Sequence, residues 1–283
     1  MATINDYTRA FEKHLKLRNC ASSTINLYCS ILKQFIGHFK KDPHSITADM
    51  IGDFILTRTA TRTKRQTWYT LDNFYRDVLQ MTDHLKSIPI PRQEKYIPET
   101  LNEQEVLRMI NTIQNIKHRA IIQLIYACAL RIGEAVNLRI ADIDGQRLQL
   151  HIKQSKGAKD RVIPIPQQTL DLLREYFKQY HPKEFLFTGQ DGGRYDVRSI
   201  QQIFHRARRA ARILKKVTVH TLRHSRATHL LCNGVDVVFI QKLLGHSKVE
   251  TTNNFYLHTD VTDLQRAIMR ADHFFIQQKE LAA

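Results

Sequence analysis

Apolar residues in the first ninety positions recur three and four apart, the spacing that gathers them on one face of a helix. Tyr7, Ala10, Phe11 and Leu15 predict a helix over Asp6–Leu17. Ile25, Tyr28, Leu32, Phe35 and Phe39 predict a second over Ser23–Phe39, with Ser22 or Ser23 as its N-cap. Thr47–Arg58 and Thr67–Met81 give two more, the latter carrying Trp68, Leu71, Phe74, Tyr75 and Leu79. Four such helices with short polar joints make a small bundle. Pro89, Pro91 and Pro98 then break the periodicity among charged residues and favour an extended strap. We therefore expect one domain over residues 1–87, a linker over 88–98 and a second domain over 99–283.

Beyond the strap, Asn102–Ile113 opens with an Asn and acids in its first turn, as helix starts prefer, and His118–Leu130 is almost continuously apolar, which implies burial on most faces. From Arg147 to Pro166 the period changes to two. Leu148, Leu150 and Ile152 alternate with polar residues, Gln154–Lys159 forms a glycine-containing turn, and Val162, Ile163 and Ile165 resume, a β-hairpin with a basic tip. Helices return at Gln168–Tyr180, Val197–Leu214, Leu222–Asn233, Asp236–Leu244 and Asp260–Lys279. The expected fold class is mainly α with a small antiparallel β-sheet.

Charge changes this picture more than composition does. The 283 residues carry 43 Lys and Arg against 27 acids, a net charge of +16, so a polyanion is the first partner to consider: nucleic acid or an acidic membrane. No run of about 18 apolar residues is present to span a bilayer. The stretch from Met1 to Phe11 is charged and lacks the apolar run of a secretory signal, and Cys20, Cys29, Cys128 and Cys232 show no paired spacing, so a reducing cytoplasm is expected.

Candidate chemistry gathers in the second domain. Tyr256 is the only Tyr after position 195, and it follows His220, Arg223, His224, His229 and His246. His220 and Arg223 are three apart, so one helical turn carries both on a face. Arg131 follows the apolar helix, where a cation must find a carboxylate or a phosphate, and Lys156 sits at the hairpin tip. Two Arg, a Lys, two His and a Tyr suit phosphoryl transfer: cations for the pentacoordinate charge, an acid for the leaving group and a phenol as nucleophile. The histidines match no zinc spacing, so no metal is expected, and His224 and His229 read as structural. Glu134 either pairs with a nearby base or supports catalysis. Arg206, Arg208, Arg209 and Arg212 on one helix, Arg58, Arg62, Lys64 and Arg65 in the first domain, and Lys159 and Arg161 beside the hairpin tip are candidate DNA contacts.

At these residues the chain resembles the tyrosine recombinases, the phage integrase and Xer-type family, along essentially its whole length. The resemblance is carried by Ala129-Leu-Arg131-Ile-Gly-Glu134, Lys156-Gly-Ala-Lys159, His220-Thr-Leu-Arg223-His224, Leu244-Gly245-His246-Ser247 and Thr251-Thr252-Asn-Asn-Phe-Tyr256, in that order. It implies a SAM-like core-binding bundle and an α+β catalytic domain ending in an exchange helix, the two closing around a duplex as a clamp. It also implies roles. Arg131 and Arg223 clamp the scissile phosphate, Lys156 protonates the departing 5′-oxygen, His220 accepts a proton, His246 binds phosphate, Glu134 supports the site and Tyr256 forms a 3′-phosphotyrosyl bond without a cofactor.

The implied partners are double-stranded DNA with inverted-repeat half-sites and further copies of the chain. Dimers to synaptic tetramers would form on DNA through C-terminal helix exchange and pass through a Holliday junction, in the cytoplasm at the nucleoid. A chain that begins almost at the bundle leaves no room for an arm-site-binding domain. The alternatives are a type IB topoisomerase and an inactive DNA-binding regulator. Three features depart from the family's usual pattern: Cys128-Ala129 where Thr-Gly is common, Gly133 where Ser is common, and ten positions from His246 to Tyr256 where nine are usual.

Overall fold

The computed structural model describes residues 3–92, 99–153 and 160–245. Contacts divide the chain into two units, Met1–Tyr96 and Ile97–Ala283, each with its own apolar core. The first holds α1 (Ile4–Leu17), α2 (Ser22–Phe39), α3 (Ala48–Leu56) and α4 (Thr61–Asp77). Their apolar faces meet on Phe11, Leu32, Phe35, Leu71, Phe74 and Tyr75, all fully buried. Rings pack edge to face there, Phe11 on Phe74 at 5.6 Å and Phe35 on Phe54 at 5.1 Å between centroids. The buried Tyr75 hydroxyl donates to the Pro43 carbonyl at 2.9 Å, so its polar end is not left unpaired.

Two expectations shift in this unit. The N-cap of α2 is Ala21, with no side-chain bond, and Ser22 is already helical, so neither serine caps it. The helix expected from Thr67 begins at Thr61 instead. Its first turns, Arg62, Thr63, Lys64, Arg65 and Gln66, are polar and offer no apolar stripe for periodicity to read. Residues 89–92 of the strap are in neither helix nor strand, as the prolines imply. Trp68 Nε1 donates to the Ile88 carbonyl at 3.0 Å and Arg65 Nη1 to the Pro91 carbonyl at 2.7 Å, which ties this stretch to α4.

The second unit contains α5 (Glu103–Asn111), α6 (Ile116–Ala127), α7 (Ile132–Asn137), α8 (Gln167–Tyr180), α9 (Val197–Ala210), α10 (Val219–Cys232) and α11 (Val237–Leu244). A sheet of β1 (Ile143–Asp144), β2 (Gln149–Ile152) and β3 (Arg161–Pro164) is antiparallel in the order β1-β2-β3. Asn102 and Glu105 form a reciprocal capping box that starts α5. Helix α6 buries Ala120, Ile121, Ile122, Leu124 and Ile125 and is packed by α5, α8, α9 and α10, which is why its sequence is apolar nearly all round. The β2–β3 register pairs Leu150 with Ile163 and Ile152 with Arg161. Helix α7 and strand β1 were not expected; six and two residues are too few to display a period. The expected turn at Gln154–Lys159 and helix at Asp260–Lys279 lie outside the described residues. Among the described residues, no helix is long and apolar enough to cross a membrane.

The turn that follows α6 fixes where the next helix starts. Leu130 N–H bonds the Ile125 carbonyl at 3.0 Å and Ala129 N–H bonds that of Tyr126 at 3.1 Å, a Schellman closure. Ala129 is its left-handed residue, at φ +50°, and is fully buried against Ala227, Ile240 and Leu244. Glycine is the residue that this backbone prefers, so alanine carries strain here while its methyl packs. We expect Ala129→Gly to leave unfolding free energy within about 1 kcal/mol, because relief of strain offsets lost packing and added chain entropy. Ala129→Val should cost about 2 kcal/mol or more through a β-branched left-handed residue in a closed space. Urea unfolding of both variants checks this; equal midpoints would remove strain from the account.

Candidate active site

Arg131 is the residue immediately before α7, and Glu134 lies in that helix's first turn. The carboxylate folds back, Oε2 accepting the Arg131 backbone N–H at 2.9 Å and Oε1 accepting Arg131 Nη1 at 2.8 Å. Arg161, the first residue of β3, presents its fork to the same group, Nη1 to Oε1 at 3.0 Å and Nη2 to Oε2 at 2.9 Å. Arg223 of α10 brings Nη1 to 3.9 Å from Oε2. One carboxylate thus faces three guanidiniums. The side chains of Glu134, Arg161 and Arg223 are 10%, 8% and 2% exposed, whereas Arg131 retains 39%. Of the three, Arg131 is the cation open to solvent.

The same arginines hold the end of α11. Arg161 Nε donates to the Leu243 carbonyl at 2.9 Å, Arg223 Nη2 donates to that of Leu244, and Arg131 Nη2 lies 3.5 Å from that of Gly245. Three successive carbonyls therefore meet three arginines. The last carbonyls of a helix have no intrahelical partner and carry the negative end of its dipole, so cations are their natural caps. Gly245, at φ +59°, supplies the left-handed residue that turns the chain out. Packing alone holds α11 weakly: it buries only Ile240 and Leu244, leaving Val238 and Phe239 50% and 64% exposed. Arg223 Nη1 also donates to the Ala129 carbonyl at 2.7 Å, which joins α10 to the strained turn before Arg131.

The electrostatics follow from this crowding. Burial opposes ionisation of Glu134, yet hydrogen bonds from Arg161 and the Arg131 backbone, with the attraction of Arg161, outweigh it and hold the carboxyl below the ordinary glutamate range. Burial first, and then the Arg131 charge, lower Arg223 to about 9; Glu134 opposes the shift and the group stays charged at neutral pH. His220, in the first turn of α10, is lowered by partial desolvation and then by the fields of Arg223 and Arg131, although the residue as a whole is exposed. A neutral imidazole beside two guanidiniums is in the state to accept a proton.

Among the sequence candidates, Arg131, Glu134, Arg161, His220 and Arg223 come together. Lys156, Lys159, His246 and Tyr256 lie outside the described residues. His229 is buried and hydrogen-bonded to the Tyr126 hydroxyl at 2.9 Å, and the rings of His220 and His224 stand edge to face at 4.5 Å. On α9, Arg206 and Arg209 are exposed, as is Arg212 just beyond it, whereas Arg208 donates to the Lys215 carbonyl at 2.6 Å. In the first unit Arg62 is exposed, Arg58 lies over the Phe54 ring, Arg65 is bonded to Pro91, and Lys64 is half-buried. A groove of about 630 Å³ lined by Leu107, Arg119, Tyr126, Glu175 and Arg226 contains none of the clustered residues.

Arg161 was expected as a DNA contact, and the structure turns it inward. The signal for this was in the strand's own period: Arg161, Ile163 and Ile165 share a face, Val162 and Pro164 the other, and Ile163 and Ile165 are buried. The carbonyls of Ala129, Leu243, Leu244 and Gly245 were not expected either, since backbone groups leave no trace in residue type.

Comparison with known proteins bears on this cluster. The model of the phage integrase family matches residues 99–262, and that of a phage integrase N-terminal SAM-like domain matches residues 8–83. The chain is 40% identical over 169 residues to y4qK of Sinorhizobium fredii, the match covering 59% of this chain but only 55% of that protein. It is 30% identical over 272 residues to the tyrosine recombinase XerA of Pyrococcus furiosus, covering 93% of this chain and 92% of that protein. A crystal structure of XerA recombinase superposes with a TM-score of 0.58 at 27% identity, covering 96% of this chain and 99% of the other.

Glu134 gives a pH-dependent prediction. Its pKa is depressed on folding, so its contribution to stability is complete above the ordinary glutamate range and is lost as pH falls through the depressed value. Glu134→Gln should cost about 3 kcal/mol near neutral pH, because three guanidiniums lose their shared counter-charge. The difference from wild type should shrink as pH falls below the ordinary glutamate range and through the depressed value. Denaturant unfolding across that range measures it; a difference that widens on acidification contradicts the assignment.

Proposed function

The chain belongs to the phage integrase family, and from that premise we propose that it is a tyrosine site-specific recombinase that breaks and rejoins DNA strands. The observation that carries the reading is the arginine cluster, in which Arg131 and Arg223 flank a buried carboxylate beside a neutral His220. In the proposed reaction the Tyr256 phenol attacks the scissile phosphorus and His220 takes its proton. Arg131 and Arg223 stabilise the charge that builds on the non-bridging oxygens. His246 adds a further contact to phosphate. Lys156 protonates the 5′-oxygen as its bond to phosphorus breaks, leaving a 3′-phosphotyrosyl ester and a free 5′-hydroxyl. Attack by a 5′-hydroxyl on that ester restores the phosphodiester and the phenol, so bond energy is conserved without a cofactor.

The proposed partners are double-stranded DNA with inverted half-sites and further copies of the chain, two at a site and four in a synapse that passes through a Holliday junction. Residues 1–87 serve as the core-binding domain and residues 99–283 as the catalytic one, working on DNA in the cytoplasm at the nucleoid. Exposed Arg62, Arg206, Arg209 and Arg212 are free to meet the phosphate backbone, whereas Arg58, Arg65 and Arg208 already have partners within the chain.

Tyr256→Phe removes the nucleophilic oxygen with almost no loss of volume. It should bind its site yet form no covalent adduct with a suicide half-site on a denaturing gel; a retained adduct would overturn the role of Tyr256. Arg131→Lys keeps the charge but not the fork and should cleave about 10²–10³-fold more slowly with binding nearly intact. Normal cleavage by that variant would remove Arg131 from the clamp. Relaxation of plasmids that lack the sites would instead favour a topoisomerase.

A further inference from the structure

We propose that Arg161 is a positioning residue of the recombination site, a side chain that joins the start of β3, the Arg131–Glu134 turn and the end of α11. The proposal rests on the recombinase reading above and adds to it a residue that touches no substrate.

Three observations carry it. Each nitrogen of the guanidinium already faces an acceptor within the chain: Nε the Leu243 carbonyl, Nη1 and Nη2 the two oxygens of Glu134. A side chain 8% exposed and fully engaged in this way does not serve the DNA backbone. Secondly, each of the three segments that it joins lies close in sequence to a proposed site residue. Arg161 stands five positions after Lys156 in sequence, Glu134 three after Arg131, and Leu243 three before His246. Thirdly, α11 buries only two apolar side chains, so the bond to Leu243 is a substantial part of what fixes the end of that helix, the last described element before His246 and Tyr256 in sequence.

The chemistry explains why this residue is an arginine. Only a planar guanidinium can present a two-toothed fork to a carboxylate and a third donor to a carbonyl at once; a lysine ammonium is a point charge without that fork. Without Arg161, Glu134 has only its bonds from Arg131 and the more distant charge of Arg223, and the carboxylate that Arg131 Nη1 meets loses the bidentate pair that fixes its plane. The effect should fall on the chemical step rather than on binding.

The test uses the full chain with Arg161→Gln and Arg161→Lys, confirmed folded at the assay temperature by circular dichroism. Half-site affinity is measured by gel shift, and adduct formation by single-turnover reaction with a suicide half-site. Affinity should stay within about threefold of wild type, since no phosphate contact is removed. Adduct formation should slow about 10–100-fold, the usual loss when a supporting residue is removed, and lysine should restore little of it. A second readout separates positioning from general loss of structure. Glu134 faces Arg131 just before α7, Arg161 of β3 and Arg223 of α10, and loses its bidentate donor in Arg161→Gln. The acid limb of the cleavage rate should therefore move to higher pH in that variant. Wild-type rates and an unmoved acid limb in both variants overturn the proposal, as does an equal loss of affinity and rate, which would make Arg161 a DNA contact. If wild type forms no adduct that depends on Tyr256, the recombinase reading itself fails, a result distinct from either.

Discussion

A single buried carboxylate makes the rest of the site possible. Three guanidiniums cannot share a few ångströms of low-dielectric interior unless something negative stands among them, and Glu134 does so with bonds to two and a longer contact to the third. The end of α11 adds partial negative character through its carbonyls. Three guanidiniums and one carboxylate leave two uncompensated positive charges. An environment left short of negative charge in this way favours an anion placed against it.

The elements around this site are held by polar pins as well as by packing. Helix α10 buries Thr221, Arg223, Ser225, Thr228 and His229 alongside its apolar residues. Ser225 accepts the Leu101 N–H at 2.9 Å, Arg223 reaches Ala129, and Tyr126 meets His229. Such bonds specify one orientation of the helix, which a purely apolar face would not, and the position of Arg223 depends on that rotation.

Long helices were legible because their apolar spacing repeats several times: α1, α2, α6, α8 and α9 stand close to where the pattern sets them. The pattern failed where it had nothing to count. Helix α4 starts in a polar stretch, α7 spans six residues and β1 two. Residue types that suit phosphate chemistry singled out Arg131, His220 and Arg223, which the fold brings together, and left open whether Glu134 pairs or supports. Arg161 was misread because basic residues near a hairpin tip were weighed by charge, while the alternation of β3 already turned that position inward. The helix-end carbonyls were out of reach of any such reading.

The polar bonds of the site also set an order of events in synthesis. Arg131 and Glu134 emerge from the ribosome first, Arg161 27 residues after Glu134, Arg223 94 residues after Ala129, and Gly245 114 residues after Arg131. These contacts are long-range in sequence and cannot form as the chain first collapses. A nascent chain that has reached only α9 holds Arg131, Glu134 and Arg161 but neither Arg223 nor the α11 carbonyls, and so cannot assemble the cluster. The assembled cluster is thereby withheld from incomplete chains by topology alone.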